Sequence, residues 1–255
     1  MKSKIAILII GLFLQHFNLP AQLQKNHVNF NELPVYECSR INSEIHLTGK
    51  ADDPLWKQAK TLNLTDPVSG KPGKFSTTVK LLYNSRFLYI AFECVDDSIW
   101  GTITGRDSAI FIEECVEVFI CPSGKTRQYY ELNVSPLNAI FDAYILNGRS
   151  ESGDTGIGLR TWKDFTCEGM ETKVNINNNP GENGVKSWTV EYEIPFTAII
   201  GSDNLVPLPG EEWRINFYRI DSPIKGKLEF YAWSPTGAND FHRFWKFGYL
   251  KFANR

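Results

Sequence analysis

The sequence predicts an all-β protein, an antiparallel β-sandwich or jelly roll with a few short helices. Three observations carry this prediction. Apolar residues alternate in one short segment after another, as strands with one buried face require. Polar turns rich in Gly, Pro, Asn and Ser separate these segments. Helical patterns are few, and no repeat or break divides the chain from residue 43 onward.

The elements follow in order. The N-terminus, MKSKIAILIIGLFLQHFNLPAQ, sets Lys2 and Lys4 before an apolar run from Ile5 to Leu14 and reaches a small-residue site at Pro20-Ala21-Gln22. This is the pattern of a secretory signal peptide, too short to be a stable membrane span. Residues 1–21 are assigned to it, and an exported chain, periplasmic or extracellular, is expected. Residues 22–42 read as an irregular leader, and residues 43–255 as one sandwich domain. No later segment is apolar enough to span a bilayer.

The stretch IHLTGKADDPLWKQA reads as a strand, a turn and a short helical start. Pro54 suits a first helical turn, Asp52 or Asp53 suits its cap, and Trp56 and Ala59 form its buried side. TTVKLLYN and RFLYIAFEC follow as strands, with Leu88, Ile90, Phe92 and Cys94 on one face. EECVEVFIC, QYYELNVS and AIFDAYI continue the pattern. Residues 147–160, NGRSESGDTGIGLR, are polar and Gly-rich and are expected to form a mobile loop. TWKDF, METKVNI, SWTVEYEIPF, EWRINFYRI, LEFYAWS and FGYLKF complete the strands, with NNNPGENG as a loop.

Composition narrows the function. The formal net charge is −2, with no basic run, so nucleic acid is not an expected partner. Aromatic residues make up 13% of the chain, which suits both sheet packing and sugar-stacking surfaces. The five cysteines include no C-x-x-C pair, against a zinc ribbon or thioredoxin-like site. Their plainest role is as small buried hydrophobes, with one disulfide through Cys94 or Cys121 as the alternative. No G-x-S-x-G, H-E-x-x-H or Gly-rich phosphate loop is present.

One segment departs from an ordinary half-buried strand: RDSAIFIEECVEVF, Arg106 to Phe119. Val116, Val118 and Ile120 form its core face. Glu113, Cys115, Glu117 and Phe119 share the other. On the next strand Leu132 and Val134 point one way, and Tyr129, Glu131 and Asn133 the other. If the two strands are neighbours, acids, amide and rings line one mixed face, with Phe111 at its rim. Such a face suits a saccharide: an aromatic ring covers the apolar C–H side, and carboxyls or amides hold the hydroxyls. The plainer reading, packing beneath loops, stands beside it. Arg106 and Asp107 read as a local ion pair at a turn, and His242, beside Phe241, as a hydrogen-bonding candidate.

The ordered set GKADDPLW, LYIAFEC, RDSAIFIEECVEVFICP, YYELNVSPLNAIFDA, WTVEYEIPF, WRINFYR and WSPTGANDFHRFWKFGYLKF resembles the family 9 carbohydrate-binding modules and the wider DOMON-like group over residues 43–255. The resemblance implies a jelly roll that binds a saccharide between two aromatic side chains, with structural calcium. Where the family carries two Trp, the matching positions hold Phe111 and Phe241. Its glutamate is kept as Glu117, and an Arg on the following strand corresponds to Asn133. The expected ligand-binding residues are therefore Phe111, Glu117, Asn133, Phe241, Arg106, Glu131 and His242. For calcium, Asp52, Asp53, Asp96 and Asp142 are the available acids. The expected function is a secreted, non-catalytic carbohydrate-binding module, with glycosidases as possible partners. Alternatives are a sandwich that has lost sugar binding, a glycoside hydrolase using a pair among the acids, and a haem-binding domain, for which strong axial ligands are scarce and no haem is expected.

Overall fold

The computed structural model describes residues 32–179, 185–222 and 228–253; the side chains of residues 153–157 are not described. The expected signal peptide and the loop around residues 180–184 lie outside the described residues.

Among the described residues the chain forms thirteen strands: β1 (Val35–Arg40), β2 (Thr61–Asn63), β3 (Thr77–Tyr83), β4 (Phe87–Asp96), β5 (Cys115–Cys121), β6 (Gln128–Val134), β7 (Ile140–Ser150), β8 (Gly153–Trp162), β9 (Glu171–Asn177), β10 (Lys186–Pro195), β11 (Glu212–Asp221), β12 (Glu229–Ala232) and β13 (Gly248–Phe252). One layer runs β8-β7-β6-β5-β11-β13-β1, with β12 beside β11. The other runs β1-β3-β4-β10-β9, with β2 beside β3.

Strand β1 belongs to both layers. Val35 to Cys38 pair with β13, and Ser39 and Arg40 pair with β3. Both of these pairings are parallel; the rest of the ladders are antiparallel, so the architecture is a mixed rather than purely antiparallel sandwich. The irregular leader expected over residues 22–42 thus ends in a strand that joins the layers. Tyr36 and Cys38 enter the core while Val35 and Glu37 stay exposed, a two-residue alternation too short to stand out in the sequence.

Between the layers lies a core of alternate residues from both. Val116, Val118, Ile120, Leu132, Val134, Ile215 and Phe217 meet Leu81, Ile90, Phe92, Trp188, Val190 and Tyr192. The Phe92 and Phe217 rings cross it edge to face, with centroids 5.9 Å apart. Each such fully buried side chain contributes about 1.5–3 kcal/mol of transfer free energy. The five cysteines are all buried and unbridged.

Each layer also has a covered outer face. Over the β3-β4-β10 layer lie Ile41, Ile45 and Trp56. The 3-10 turn Pro54–Gln58 forms as expected: Asp53 caps it through Leu55 N–H, and Trp56 is buried. Its anchor is Glu191, fully buried on β10, whose carboxylate accepts Thr48 N–H at 2.9 Å, Gly49 N–H at 2.6 Å and Trp56 Nε1–H at 2.9 Å. Gly49 is required there. Its φ is +81°, and a Cβ would lie 2.8 Å from the Val174 carbonyl carbon.

The segment expected to be a loop over residues 147–160 is instead a hairpin. β7 runs to Ser150, β8 begins at Gly153, and a register shift falls between Asn147 and Arg149. Backbone pairing to β7 holds this edge, so its sequence needs little apolar alternation.

Candidate functional site

The outer face of the β5-β6-β7-β11 layer carries the mixed face read from the sequence. Pairing sets Glu117 opposite Asn133 and Phe119 opposite Glu131. On the flanks, Tyr218 stands beside Glu117, and Phe141 beside Asn133. Loops fold over this face and leave a hollow of about 400 Å³, within the usual range for a small-molecule site.

Five of the seven expected ligand-binding residues line this one hollow: Phe111, Glu117, Glu131, Phe241 and His242. Phe111 follows the covering segment before β5 and stands edge-on to Phe141, with centroids 5.3 Å apart and planes at 80°. Phe241 comes from the segment between β12 and β13. It lies flat on Tyr218, with centroids 4.1 Å apart, and meets Phe230 edge-on at 5.7 Å.

The other two stand elsewhere. Arg106 does not line the hollow. Its guanidinium grips the buried Asp142 carboxylate, at 2.6 and 2.7 Å to the two oxygens. Asp107, the expected local partner, is 3.8 Å from the Arg106 Nε. Asn133 is fully buried on the same face, where its Nδ2–H donates to Glu131 Oε1 at 2.9 Å and its Oδ1 has no partner. It orients a lining carboxyl rather than lining the hollow itself.

The three glutamates of the segment Arg106 to Phe119 have three different tasks. Glu113 holds the covering segment through Thr102 N–H at 2.8 Å and Ile103 N–H at 3.2 Å. Glu114 points inward to Arg219 at 3.1 Å. Glu117 faces the hollow. Burial pushes the Glu117 carboxyl well above its usual range, and the neighbouring Glu131 charge adds to this. Burial also raises Glu131, to about 7, with the Asn133 hydrogen bond and the Lys163 charge pulling the other way. At neutral pH the floor therefore holds Glu117 in its protonated form, able to donate as well as accept, beside a Glu131 carboxyl poised between its two forms.

Several lining residues were not foreseen. Leu159 and Thr161 on β8, and Lys163 just beyond it, form one side of the hollow. Lys163 Nζ stands 5.5 Å from the Phe141 ring centroid, a cation–π distance. Their alternation Leu-x-Thr-x-Lys was the available signal, but it begins inside the stretch read as a loop. His242 is buried enough to be held neutral, its imidazole pushed down to about 4.

The four acids named for calcium are not gathered in one place among the described residues. Asp52 accepts from Thr48 Oγ1, and Asp53 caps its turn. Asp142 takes Arg106 and Cys167 N–H. Asp96 does join Glu114 and Asp221 in a buried trio. The Arg219 guanidinium already supplies its positive charge, with Asp221 at 3.6 Å and Glu114 at 3.1 Å. The expected set does not fit a calcium site.

Fold and site together define a β-sandwich with a ligand-sized hollow on one outer face, walled by aromatic rings and floored by two buried carboxyls. The chain belongs to carbohydrate-binding family 9, whose model matches residues 69–252. It is similar in fold to a chain from Bacteroides uniformis described as carbohydrate-binding, at 20% identity and TM-score 0.66, covering 87% of this chain and 100% of that one. It is also similar to a family 9 module from Caldicellulosiruptor kristjanssonii, solved with cellotriose and with glucose. Both of those matches have 14% identity, TM-score 0.57 and 87% coverage of this chain, with 95% and 97% of the other chain covered. A relative from Arthroderma benhamiae described as an extracellular protein is 25% identical over 147 residues, 56% of this chain. The match spans 62% of that relative, less than two thirds of its length. Among the described residues no helix is long and apolar enough to cross a membrane.

Proposed function

We propose that this chain is an exported, non-catalytic module that binds a saccharide in the hollow between Phe111 and Phe241. One observation carries the reading. Two Phe rings 130 positions apart in sequence line a single hollow with Glu117, Glu131 and His242. The rings offer apolar surface to sugar C–H faces, and the polar groups offer both donors and acceptors to hydroxyls. Phe in place of Trp gives smaller platforms, so binding is weaker than a Trp pair would give. Family membership and the sugar complexes of the Caldicellulosiruptor module support the same reading. Export rests on the N-terminal sequence pattern and on the extracellular description of the Arthroderma relative. Such a module serves a separate glycosidase by holding its substrate.

The test is titration calorimetry of the purified chain against glucose, cellotriose and a panel of other mono- and oligosaccharides. Saturable binding to at least one member, without release of reducing sugar, is expected. Cleavage of a bound oligosaccharide would instead show the buried acids acting as a hydrolytic pair.

A further inference from the structure

Resting on that reading, we infer that Tyr129 and Asn147 are positioning residues that lock His242 as the Nε2–H tautomer, a fixed donor to an oxygen of the bound saccharide. The geometry leaves little choice of proton placement. Asn147, fully buried on β7, has its amide orientation set by two backbone partners. Its Oδ1 accepts Arg149 N–H at 3.0 Å, and its Nδ2–H donates to the His242 carbonyl at 2.7 Å. The second proton on that nitrogen meets the Tyr129 hydroxyl oxygen at 3.2 Å.

The Tyr129 oxygen therefore receives a proton from Asn147 and must place its own elsewhere. Its remaining neighbour is His242 Nδ1, at 2.7 Å. Were Nδ1 the protonated nitrogen, the buried hydroxyl would face two donors with its own proton orphaned, at a cost of about 1–3 kcal/mol. The hydroxyl thus donates to Nδ1, and the proton of the neutral ring resides on Nε2. With Nδ1 turned to Tyr129, Nε2 is the nitrogen left for the hollow that His242 lines. Packing fixes the ring: Phe119 lies 5.1 Å from it, centroid to centroid, and stacks on Tyr129 at 5.4 Å. Asp240 accepts the His242 backbone N–H at 3.1 Å and is itself held by Arg149. The whole relay comes from β6, β7 and one covering loop, and nothing in it serves the interlayer core. It selects ligands that offer an oxygen acceptor at this end of the hollow.

The test is the imidazole nitrogen–proton correlation spectrum of the ligand-free chain at neutral pH, followed by cellotriose binding. Wild type should show the Nε2–H tautomer, and the Nε2–H resonance should shift when cellotriose is added. Tyr129→Phe keeps the ring but removes the donor. It should lose the tautomer preference and weaken binding about fivefold, as for one lost hydrogen bond. Asn147→Asp replaces the donor with an acceptor and should swing the ring toward Nδ1–H. An Nδ1–H tautomer in wild type overturns the inference, and the wild-type spectrum decides it even if a variant does not fold. Unchanged affinity in a folded Tyr129→Phe also overturns it, while leaving sugar binding intact. Wild type that shows the Nε2–H tautomer yet binds no saccharide overturns the carbohydrate reading and the donor role with it.

Discussion

The ring of Phe241 lies on the ring of Tyr218 with their planes 13° from parallel. Tyr218 is the residue beside Glu117 in the β5-β11 ladder, and its hydroxyl donates to the Phe241 carbonyl at 2.9 Å. One strand residue thus fixes both the ring plane and the backbone of a loop residue. An aromatic wall supplied by a loop is in this way anchored to the sheet beneath it, which lowers the ordering cost of binding.

Removing either wall ring should weaken saccharide binding. Phe111→Ala and Phe241→Ala are each expected to lose about 1 kcal/mol, roughly fivefold in affinity, as for one stacking contact. Calorimetry reads the loss. Phe241→Ala should also lower the unfolding temperature, because Tyr218 loses its stacked partner.

Stability should fall as the pH rises from mildly acidic to alkaline. Burial raises Glu114 to about 9 and Glu131 to about 7, and it lifts Glu117 well above its usual range. Unfolded, these groups titrate near 4.3, roughly the model-peptide value. Between those limits the folded chain holds protons that the unfolded chain has released, so their contribution is full below the unfolded value and is lost as pH climbs toward 9. His242 acts in the opposite sense. Its folded value near 4 lies below the unfolded one, so its contribution fades as pH falls from about 6.5 toward 4. Calorimetric scans should therefore give a higher melting temperature at pH 6 than at pH 9, and Glu114→Gln, which mimics the protonated acid, should flatten the slope. A melting temperature that does not fall from pH 6 to pH 9 would mean these carboxyls ionise normally in the fold.

Glu191→Ala should destabilise the chain without touching the hollow. Three N–H donors converge on that carboxylate from the segment over the opposite layer. Losing charge-assisted bonds of this kind costs about 3 kcal/mol or more in total. Urea unfolding should show the shift, while saccharide affinity at the folded plateau stays at the wild-type value.

No cysteine should react with a thiol reagent in the native state, and five should react in denaturant. All five are buried and unbridged, and burial holds Cys94 and Cys167 up at about 12. Thiolate is the reactive form, so both access and ionisation are denied. Mass spectrometry that finds a disulfide would contradict this.

The faces of β5 and β6 were legible because a two-residue period fixes which side chains share a side. That alone brought Glu117, Phe119, Tyr129, Glu131 and Asn133 together. The place of Phe111 and Phe241 in the same hollow came from the family resemblance, since loop residues carry no period. Long-range partners were not legible. Arg106 does pair with its neighbour Asp107, at 3.8 Å, but its closer hold is on Asp142, on β7, at 2.6 Å. Glu191 looks like a solvent-facing acid, and its donors lie more than a hundred residues earlier. Arg219 sits mid-strand among apolar residues, and only the fold shows that three acids surround it. The Gly- and Ser-rich hairpin hid β8 because backbone pairing, not side-chain pattern, holds it. With β8 went Leu159, while Thr161 and Lys163 fell in TWKDF, read as a separate strand with no link to the hollow.

A crystal structure of the chain soaked with the best-binding saccharide of the calorimetric panel tests the central claim most directly. Sugar density packed against Phe111 and Phe241, with hydroxyls at Glu117, Glu131 and His242 Nε2, is the predicted result. Density confined to another surface, with this hollow holding only water, would contradict it.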